Sequence, residues 1–213
     1  MKRLSELNRI VDELESPVVL KDSKPATTIW RRPRFMEAKK LTAAEKGTVV
    51  HAVMQNMSLA EMPTEGSIQS TLQEMLDKQT MTTDQRDVVD IPVILKFFET
   101  QVGKRMIQSR NVQREVPFSY GLTAGEVYSD ADPSTLGETV LIQGVIDCLF
   151  EDELGLVLVD YKTDAVKGST DAELQLRYEK QISLYARAVE HIWKRPVHGK
   201  FLYFFDGAKL VEM

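Results

Sequence analysis

Residues 144–164 read GVIDCLFEDELGLVLVDYKTD. Two apolar runs rich in valine, isoleucine and leucine flank the polar segment Glu151–Gly155, which is typical of two strands joined by a turn. Each run carries one aspartate, Asp147 in the first and Asp160 at the end of the second. The stretch therefore predicts a β-hairpin whose strands carry two carboxylates.

The position of the turn sets which residues of the hairpin face each other. If the turn is centred near residues 153–154, Asp147 falls opposite residues 159–161, and directly opposed side chains lie about 5 Å apart at Cβ. Strand alternation places Lys162 on the same face as Asp160. Two carboxylates and an ammonium are therefore expected to converge at one end of the hairpin.

Such a convergence needs compensation, because like charges repel and burial penalises the charged form. A divalent cation with oxygen ligands would compensate directly. The alternative is purely structural: Asp160 pairs with Lys162 at the strand ends, and Asp147 caps a loop. Spacing alone leaves both interpretations open.

A helix is predicted upstream, starting after Thr42. Thr42 and Glu45 have the spacing of a capping box, and the apolar stripe continues to about Met57. Gly47 lies inside this helix, where glycine costs about 1 kcal/mol relative to alanine. We therefore expect another group to approach the helix closely at Gly47.

The remaining pattern predicts one central sheet with helices. Pro92 is expected to break or kink the helical stretch 83–108, and a proline-containing strand over 112–120 is expected at a sheet edge. The other predicted elements are helices at 67–79 and 171–194, a loop or wide hairpin turn at 121–138, and strands at 139–150, 156–162, 200–205 and 209–211. Helices followed by strands, a helix and a strand indicate an α/β or α+β fold.

The first 40 residues differ in character from the rest. They carry ten basic and six acidic residues, whereas residues 41–213 carry 17 basic and 26 acidic ones, within a net charge of −5 for the 213-residue chain. We expect residues 1–40 to be a linker with a short helix over 3–15, and 41–213 to be the domain. The basic aromatic segment Trp30–Phe35 could touch nucleic acid, although a tether packed on the domain is favoured.

Composition excludes several classes of protein. Cys148 is the one cysteine, which excludes an internal disulfide and a four-cysteine iron–sulfur cluster. No apolar run is long enough for a transmembrane helix, no signal peptide is recognisable, and no GxxxxGK[ST] nucleotide-binding loop occurs. A cytoplasmic protein without membrane contact is expected. An acidic body can still act on a polyanion if a metal ion lies among its carboxylates.

Five short motifs occur together in a fixed order. They are Gly47–His51 with its histidine, Arg114–Phe118 with its glutamate, the GxxD element Gly144–Asp147, the DYKT element Asp160–Thr163 and the QxxxY element Gln181–Tyr185. In this combination the chain resembles the RecB-type branch of the PD-(D/E)XK nuclease family, and within it the nuclease domains of AddA-type helicase-nucleases. The resemblance implies a restriction-endonuclease-like core with a central mixed sheet flanked by helices.

The resemblance also implies a metal centre. His51, Asp147, Asp160 and the backbone carbonyl of Tyr161 would bind Mg²⁺, with Mn²⁺ as an alternative. Lys162 would position or activate the attacking water and balance charge on the phosphate. Hydrolysis assisted by a metal needs no covalent nucleophile.

Three further residues have roles that the sequence leaves partly open. Gln181 and Tyr185 lie four apart on one helix face; they are taken as catalytic residues that orient the site or contact the DNA backbone, with core packing as the alternative. Glu115 is either part of the site or an ordinary surface carboxylate. Cys148 is expected in the core.

The implied function is metal-dependent cleavage of DNA, as an exonuclease domain of an ATP-dependent helicase-nuclease that processes double-strand breaks for recombination repair. Implied partners are DNA, preferably single-stranded, an AddB-type partner, and a helicase portion from which this domain would be excised. The alternatives are a non-catalytic DNA-binding or assembly module with a degenerate nuclease fold, and an unrelated α/β protein with an Asp–Lys pair.

Overall fold

A computed structural model of the protein describes residues 41–127 and 132–213. The helix predicted over 3–15 and the segment Trp30–Phe35 lie outside the described residues. Within the described ranges, no helix is both long enough and apolar enough to cross a membrane.

The secondary structure follows the predicted order closely. The helices are α1 (Ala43–Asn56), α2 (Glu65–Asp77), α3 (Thr83–Arg86), α4 (Ile91–Glu99), α5 (Gln101–Gln108), α6 (Ala124–Val127) and α7 (Asp171–Trp193). The strands are β1 (Val112–Thr123), β2 (Thr139–Asp152), β3 (Gly155–Lys162), β4 (Val197–Phe204) and β5 (Lys209–Glu212). The α/β fold class is confirmed.

The five strands form one mixed sheet in the order β1-β2-β3-β4-β5. The pairs β2–β3 and β4–β5 are antiparallel, whereas β3 and β4 are parallel, so that α7 serves as the crossover that a parallel pair requires. In the central hairpin Cys148 pairs with Val159. This register agrees with the predicted turn position, which placed Asp147 opposite one of residues 159–161.

Helices cover both faces of the sheet. The ring of Tyr203 in β4 packs edge-on against Phe97 of α4, with 4.9 Å between ring centroids. The next residue, Phe204, instead packs against Tyr178 of α7 at 5.6 Å. Successive strand residues point to opposite faces, so α4 and α7 lie on opposite sides. Cys148 is fully buried in the core on the α4 side, as predicted.

The described residues divide into two compact units. One comprises 41–116 and 146–213 and contains the whole core cluster and every site residue discussed below. The other comprises 117–127 and 132–145. Within it, the amide of Ala124 donates to the carbonyl of Glu138 at 2.7 Å. The region 121–138, predicted as a loop or wide hairpin turn, contains the one-turn helix α6.

The break expected at Pro92 is present, because the helical stretch is interrupted between α3, which ends at Arg86, and α4, which begins at Ile91. Pro92 lies in the first turn of α4, after the N-cap Asp90, where its missing N–H costs nothing because the first amides of a helix have no intrahelical partner. The stretch breaks a second time at Thr100, which ends α4 and caps α5. A Cβ on Gly103 would lie 2.2 Å from the carbonyl oxygen of Phe97, so this tight corner requires glycine.

Candidate active site

The first helix carries His51 to the end of the central hairpin. The Thr42 hydroxyl accepts a hydrogen bond from the amide of Glu45 at 3.3 Å, and the Glu45 carboxylate accepts one from the amide of Thr42 at 2.7 Å, so the predicted capping box starts α1. A Cβ on Gly47 would lie 2.8 Å from Oγ1 of Thr163. The expected close approach is therefore made by the chain just after β3. His51 follows Gly47 by four residues, on the same helix face.

His51 lies between two carboxylates. Its Nδ1 is 3.2 Å from Oδ1 of Asp147 and 3.7 Å from Oε1 of Glu115. One ligand atom from each of these three residues lies within 4.8 Å of the other two. Among the described residues this is the one group of three or more potential metal ligands so close together. Three different elements, α1, β1 and β2, contribute to it.

Glu115 reaches this cluster through an unusual backbone conformation. Its φ is 53°, in the left-handed region, which costs a non-glycine residue of order 1–3 kcal/mol. The conformation interrupts the extended course of β1, so simple alternation along the strand cannot tell where the side chain points. Of the two interpretations left open by the sequence, the structure places Glu115 with the site, its side chain 24% exposed.

The carboxylates control the charge of His51. Burial lowers its pKa, but Asp147 and Glu115 outweigh that effect and raise the pKa from 6.5 to about 10. Without a cation, the imidazole is therefore protonated at neutral pH. The proton supplies the positive charge that two neighbouring carboxylates require.

A second group lies beside the first, at the end of β3. The ammonium of Lys162 is 2.8 Å from Oδ2 of Asp160 and donates a 2.9 Å hydrogen bond to Oε1 of Gln181. The Gln181 amide in turn donates to the Tyr185 hydroxyl at 3.3 Å. The structure thus brings Lys162, Gln181 and Tyr185 into one chain of polar contacts. Tyr185 is also buried. Its ring therefore packs in the interior while its hydroxyl accepts the hydrogen bond from Gln181.

Asp160 lies at the boundary of the two groups. It is 4% exposed, and burial raises the pKa of its carboxyl, with Lys162 acting in the opposite direction and Asp147 in the same direction. The contact with Lys162 is ionic and poorly aligned, so Oδ2 has no hydrogen-bond partner within the described part of the chain. Asp160 is not a member of the compact group around His51.

Two contacts of Lys162 and Tyr161 were not predictable from the motifs. The Lys162 ammonium lies 5.0 Å from the ring centroid of Tyr178, and the Tyr178 hydroxyl donates to Asp164 at 2.9 Å. Tyr178 lies three residues before Gln181 on α7, and this spacing could have suggested that Tyr178 also contacts Lys162. Tyr161 packs its ring edge-on to His51, with 6.1 Å between centroids; the role of its carbonyl as a metal ligand stays a prediction.

The donor set fits a divalent cation. Among the described residues, His51, Glu115 and Asp147 lie close enough together to hold one cation. Carboxylate oxygens, which two of these three residues supply, are ligands that suit both Mg²⁺ and Mn²⁺. Asp160, whose Oδ2 faces the Lys162 ammonium at 2.8 Å, stays a predicted ligand.

The sequence also matches known proteins. Residues 27–212 match the family model of the PD-(D/E)XK nuclease superfamily. One chain of the ATP-dependent helicase/nuclease of Bacillus velezensis is 44% identical over 220 residues, covering 99% of this chain and 18% of that protein. Its counterpart of the same name in Bacillus licheniformis is 44% identical over 218 residues, covering 99% and 17%. The counterpart in Bacillus cereus is 43% identical over 192 residues, covering 87% and 15%. The chain thus spans less than a fifth of the length of these curated relatives.

Proposed function

The chain belongs to the PD-(D/E)XK nuclease superfamily, and on that premise we propose that it is a divalent-metal-dependent deoxyribonuclease. The observation that carries this proposal is the convergence of His51, Glu115 and Asp147 within 4.8 Å, beside a lysine ammonium held by Asp160. A metal ligand set next to a fixed positive charge is what phosphodiester hydrolysis needs, because negative charge develops on the phosphate in the transition state.

His51, Asp147, Asp160 and the Tyr161 carbonyl are the proposed ligands, and Glu115 joins them on the strength of its position. A bound Mg²⁺ or Mn²⁺ would polarise the phosphate and supply hydroxide near neutral pH. The side chains of His51, Glu115, Asp147 and Asp160 would bind it. The Tyr161 amide orients one oxygen of Asp147 at 2.6 Å, and the other oxygen faces His51.

Lys162 is the proposed catalytic cation of the chain itself. Burial lowers its pKa, but the Asp160 and Asp147 carboxylates more than offset this and raise it, so the ammonium keeps its charge. Gln181 fixes its position. We expect this ammonium to contact the scissile phosphate and the attacking water, with Gln181 and Tyr185 orienting the group.

The relatives suggest the setting in which this chemistry operates. Their names describe them as part of an ATP-dependent helicase/nuclease. We propose that this chain serves as the nuclease domain of such a helicase-nuclease, acting as an exonuclease in the processing of double-strand breaks for recombination repair, in the cytoplasm. The helicase portion and an AddB-type protein would be its partners, and single-stranded DNA its preferred substrate.

The test is a cleavage assay on an end-labelled single-stranded oligonucleotide without ATP. Cleavage is expected with Mg²⁺ or Mn²⁺ and none with EDTA, and His51→Ala should reduce it. Cleavage that persists in EDTA contradicts metal dependence. Tight binding of the oligonucleotide without any cleavage, under all cation conditions, favours the degenerate, non-catalytic nuclease fold instead.

A further inference from the structure

The junction between α1 and β1 contains a partly buried connection outside the ligand set. Nη1 of Arg114 donates to the carbonyl oxygen of Met54 at 2.9 Å and to that of Met57 at 2.6 Å. Met54 lies in the last turn of α1, and Met57 is its C-cap. The last carbonyls of a helix have no intrahelical donor, so the arginine satisfies groups that the helix itself leaves open.

The same guanidinium supplies a positive charge that α1 lacks. The last turn of α1 contains no basic residue, although positive charge is favourable at the C-terminal end of the helix dipole. Arg114 delivers that charge from β1. The contact therefore fastens the end of one element to the start of another by charge-assisted hydrogen bonds, which are stronger than neutral ones.

The fastened positions are the immediate neighbours of two site residues. Arg114 directly precedes Glu115 in β1, and Met54 follows His51 by three residues, less than one turn along α1. Glu115 has a φ of 53°, a conformation that a non-glycine residue keeps only when surrounding contacts hold it. A bond from the preceding residue to α1 is well placed to hold it.

From these contacts we infer that Arg114 is a positioning residue of the metal centre, which sets the separation of His51 and Glu115 by clamping the last turn of α1 to β1. The hydrogen bonds of Arg114 go to main-chain carbonyls of α1, so it acts through the two backbones. This inference rests on the proposed function, because it presupposes that the His51, Glu115 and Asp147 group binds a cation.

Two substitutions separate the geometry of the clamp from its charge. Arg114→Met removes both hydrogen bonds and the charge while keeping the apolar stem. Arg114→Lys keeps the charge on a compact ammonium but loses the planar fork, so it is expected to restore the connection only in part.

Arg105 offers a matched control. It donates to Asp152 at 2.7 Å and so also links a helix, α5, to a strand, β2. Asp152 lies five residues beyond Asp147 along β2, near the hairpin turn. Arg105→Met therefore removes a comparable helix–strand connection without touching the elements that carry His51 and Glu115.

The experiment measures the dissociation constant for Mn²⁺ by calorimetry and the unfolding midpoint in EDTA for the parent and all three variants. Arg114→Met is expected to weaken Mn²⁺ binding by about tenfold to a hundredfold, the usual effect of losing a group that orients metal ligands, and Arg114→Lys by less. Arg105→Met is expected to lower the unfolding midpoint and to leave the dissociation constant unchanged.

Parental Mn²⁺ affinity in any folded Arg114 variant would overturn the inference, and so would an equal loss of affinity in Arg105→Met, since that indicates general destabilisation. If Arg114→Met does not fold, Arg114→Lys decides. A parent protein that binds no Mn²⁺ contradicts the proposed function itself and is recognised before any variant is compared.

Discussion

The main-chain N–H of Tyr161 donates a 2.6 Å hydrogen bond to Oδ2 of the Asp147 side chain. A backbone amide of β3 thus holds a buried carboxylate of β2 in one orientation, with Oδ1 facing His51 at 3.2 Å. The two central strands are joined at the site by a side chain as well as by the ladder. Small shifts of α1, or of β2 and β3 at this end of the hairpin, are therefore expected to appear first as changes in metal binding.

Lys162→Met is expected to slow cleavage by about 10²–10³-fold, because it removes a charge that opposes the charge developing on the phosphate. Metal affinity should change little, since the ammonium is not a ligand. Single-turnover cleavage and Mn²⁺ calorimetry measure the two effects. Lys209→Met is the control: Lys209 pairs with Asp171, away from the proposed ligands. Equal rates for Lys162→Met and the parent would reduce Lys162 to an ion-pair partner.

Asp160→Ala is expected to abolish ATP-independent cleavage, because it removes a proposed metal ligand and leaves the Lys162 ammonium without its carboxylate.

In the parent, single strands should be cut faster than blunt duplex, since no helicase activity is supplied to separate the strands. Digestion of both substrates with Mg²⁺ and without ATP measures this. A parental rate in Asp160→Ala, or a requirement for ATP, contradicts the proposed role of this chain.

Gly47→Ala is expected to weaken both stability and metal binding. The added Cβ would lie 2.8 Å from Thr163 Oγ1, and overpacking of this kind costs about 1–3 kcal/mol, against a gain of about 1 kcal/mol in helix propensity. Relief of the clash should push α1, and His51 with it, away from β3. Chemical denaturation and Mn²⁺ calorimetry measure the two effects.

The matched control is Gly66→Ala in α2, where the nearest atom to the added Cβ is 4.0 Å away, so no loss is expected. The pair Gly47→Ala with Thr163→Ala should recover much of the lost affinity, because the obstructing oxygen is gone. A Gly47→Ala protein as stable as the parent and with parental affinity contradicts the close approach.

Tyr178→Leu is expected to reduce the cleavage rate by roughly threefold to thirtyfold, the range that corresponds to losing one cation–π contact with the Lys162 ammonium. Tyr178→Phe keeps the ring and loses only the hydrogen bond to Asp164, so its loss should be smaller. Rates for the two variants under single-turnover conditions make the comparison. Identical losses would show that the hydrogen bond, and not the ring, supports Lys162.

The charge of His51 predicts how stability depends on pH. Its pKa in the folded, metal-free protein is about 10 against 6.5 for the free side chain, so the protonated form stabilises the fold. That contribution is complete below pH 6.5 and is lost as the pH rises towards 10. Urea unfolding in EDTA across this range should show the decline, and His51→Gln should lack this component. A flat profile for the parent contradicts the raised pKa.

Cation binding should also release this proton, because a metal ligand must be deprotonated. Between pH 7 and 8 we expect about one proton per Mn²⁺, measured from binding enthalpies in buffers of different ionisation enthalpy. Proton release that is as large in His51→Gln as in the parent would assign it to another group.

Much of the fold follows from short-range sequence signals. The capping box at Thr42, the two apolar runs and the polar turn between them act within a few residues, and the structure has α1, β2 and β3 where those signals place them. The register of the hairpin, with Cys148 paired to Val159, also follows from the turn position. The break expected at Pro92 lies just before it, because proline is disfavoured in the interior of a helix but fits the first turn of a new one.

The hairpin and the helix that carries His51 can be predicted from the amino-acid sequence alone, because helix capping and apolar periodicity are local properties. The folded structure was needed to show that Glu115 joins His51 and Asp147, that Arg114 connects β1 to α1, and that the ring of Tyr178 lies against the Lys162 ammonium. Those contacts join residues far apart in the chain, and they depend on packing and on a left-handed φ at Glu115, which no local pattern of residue types specifies.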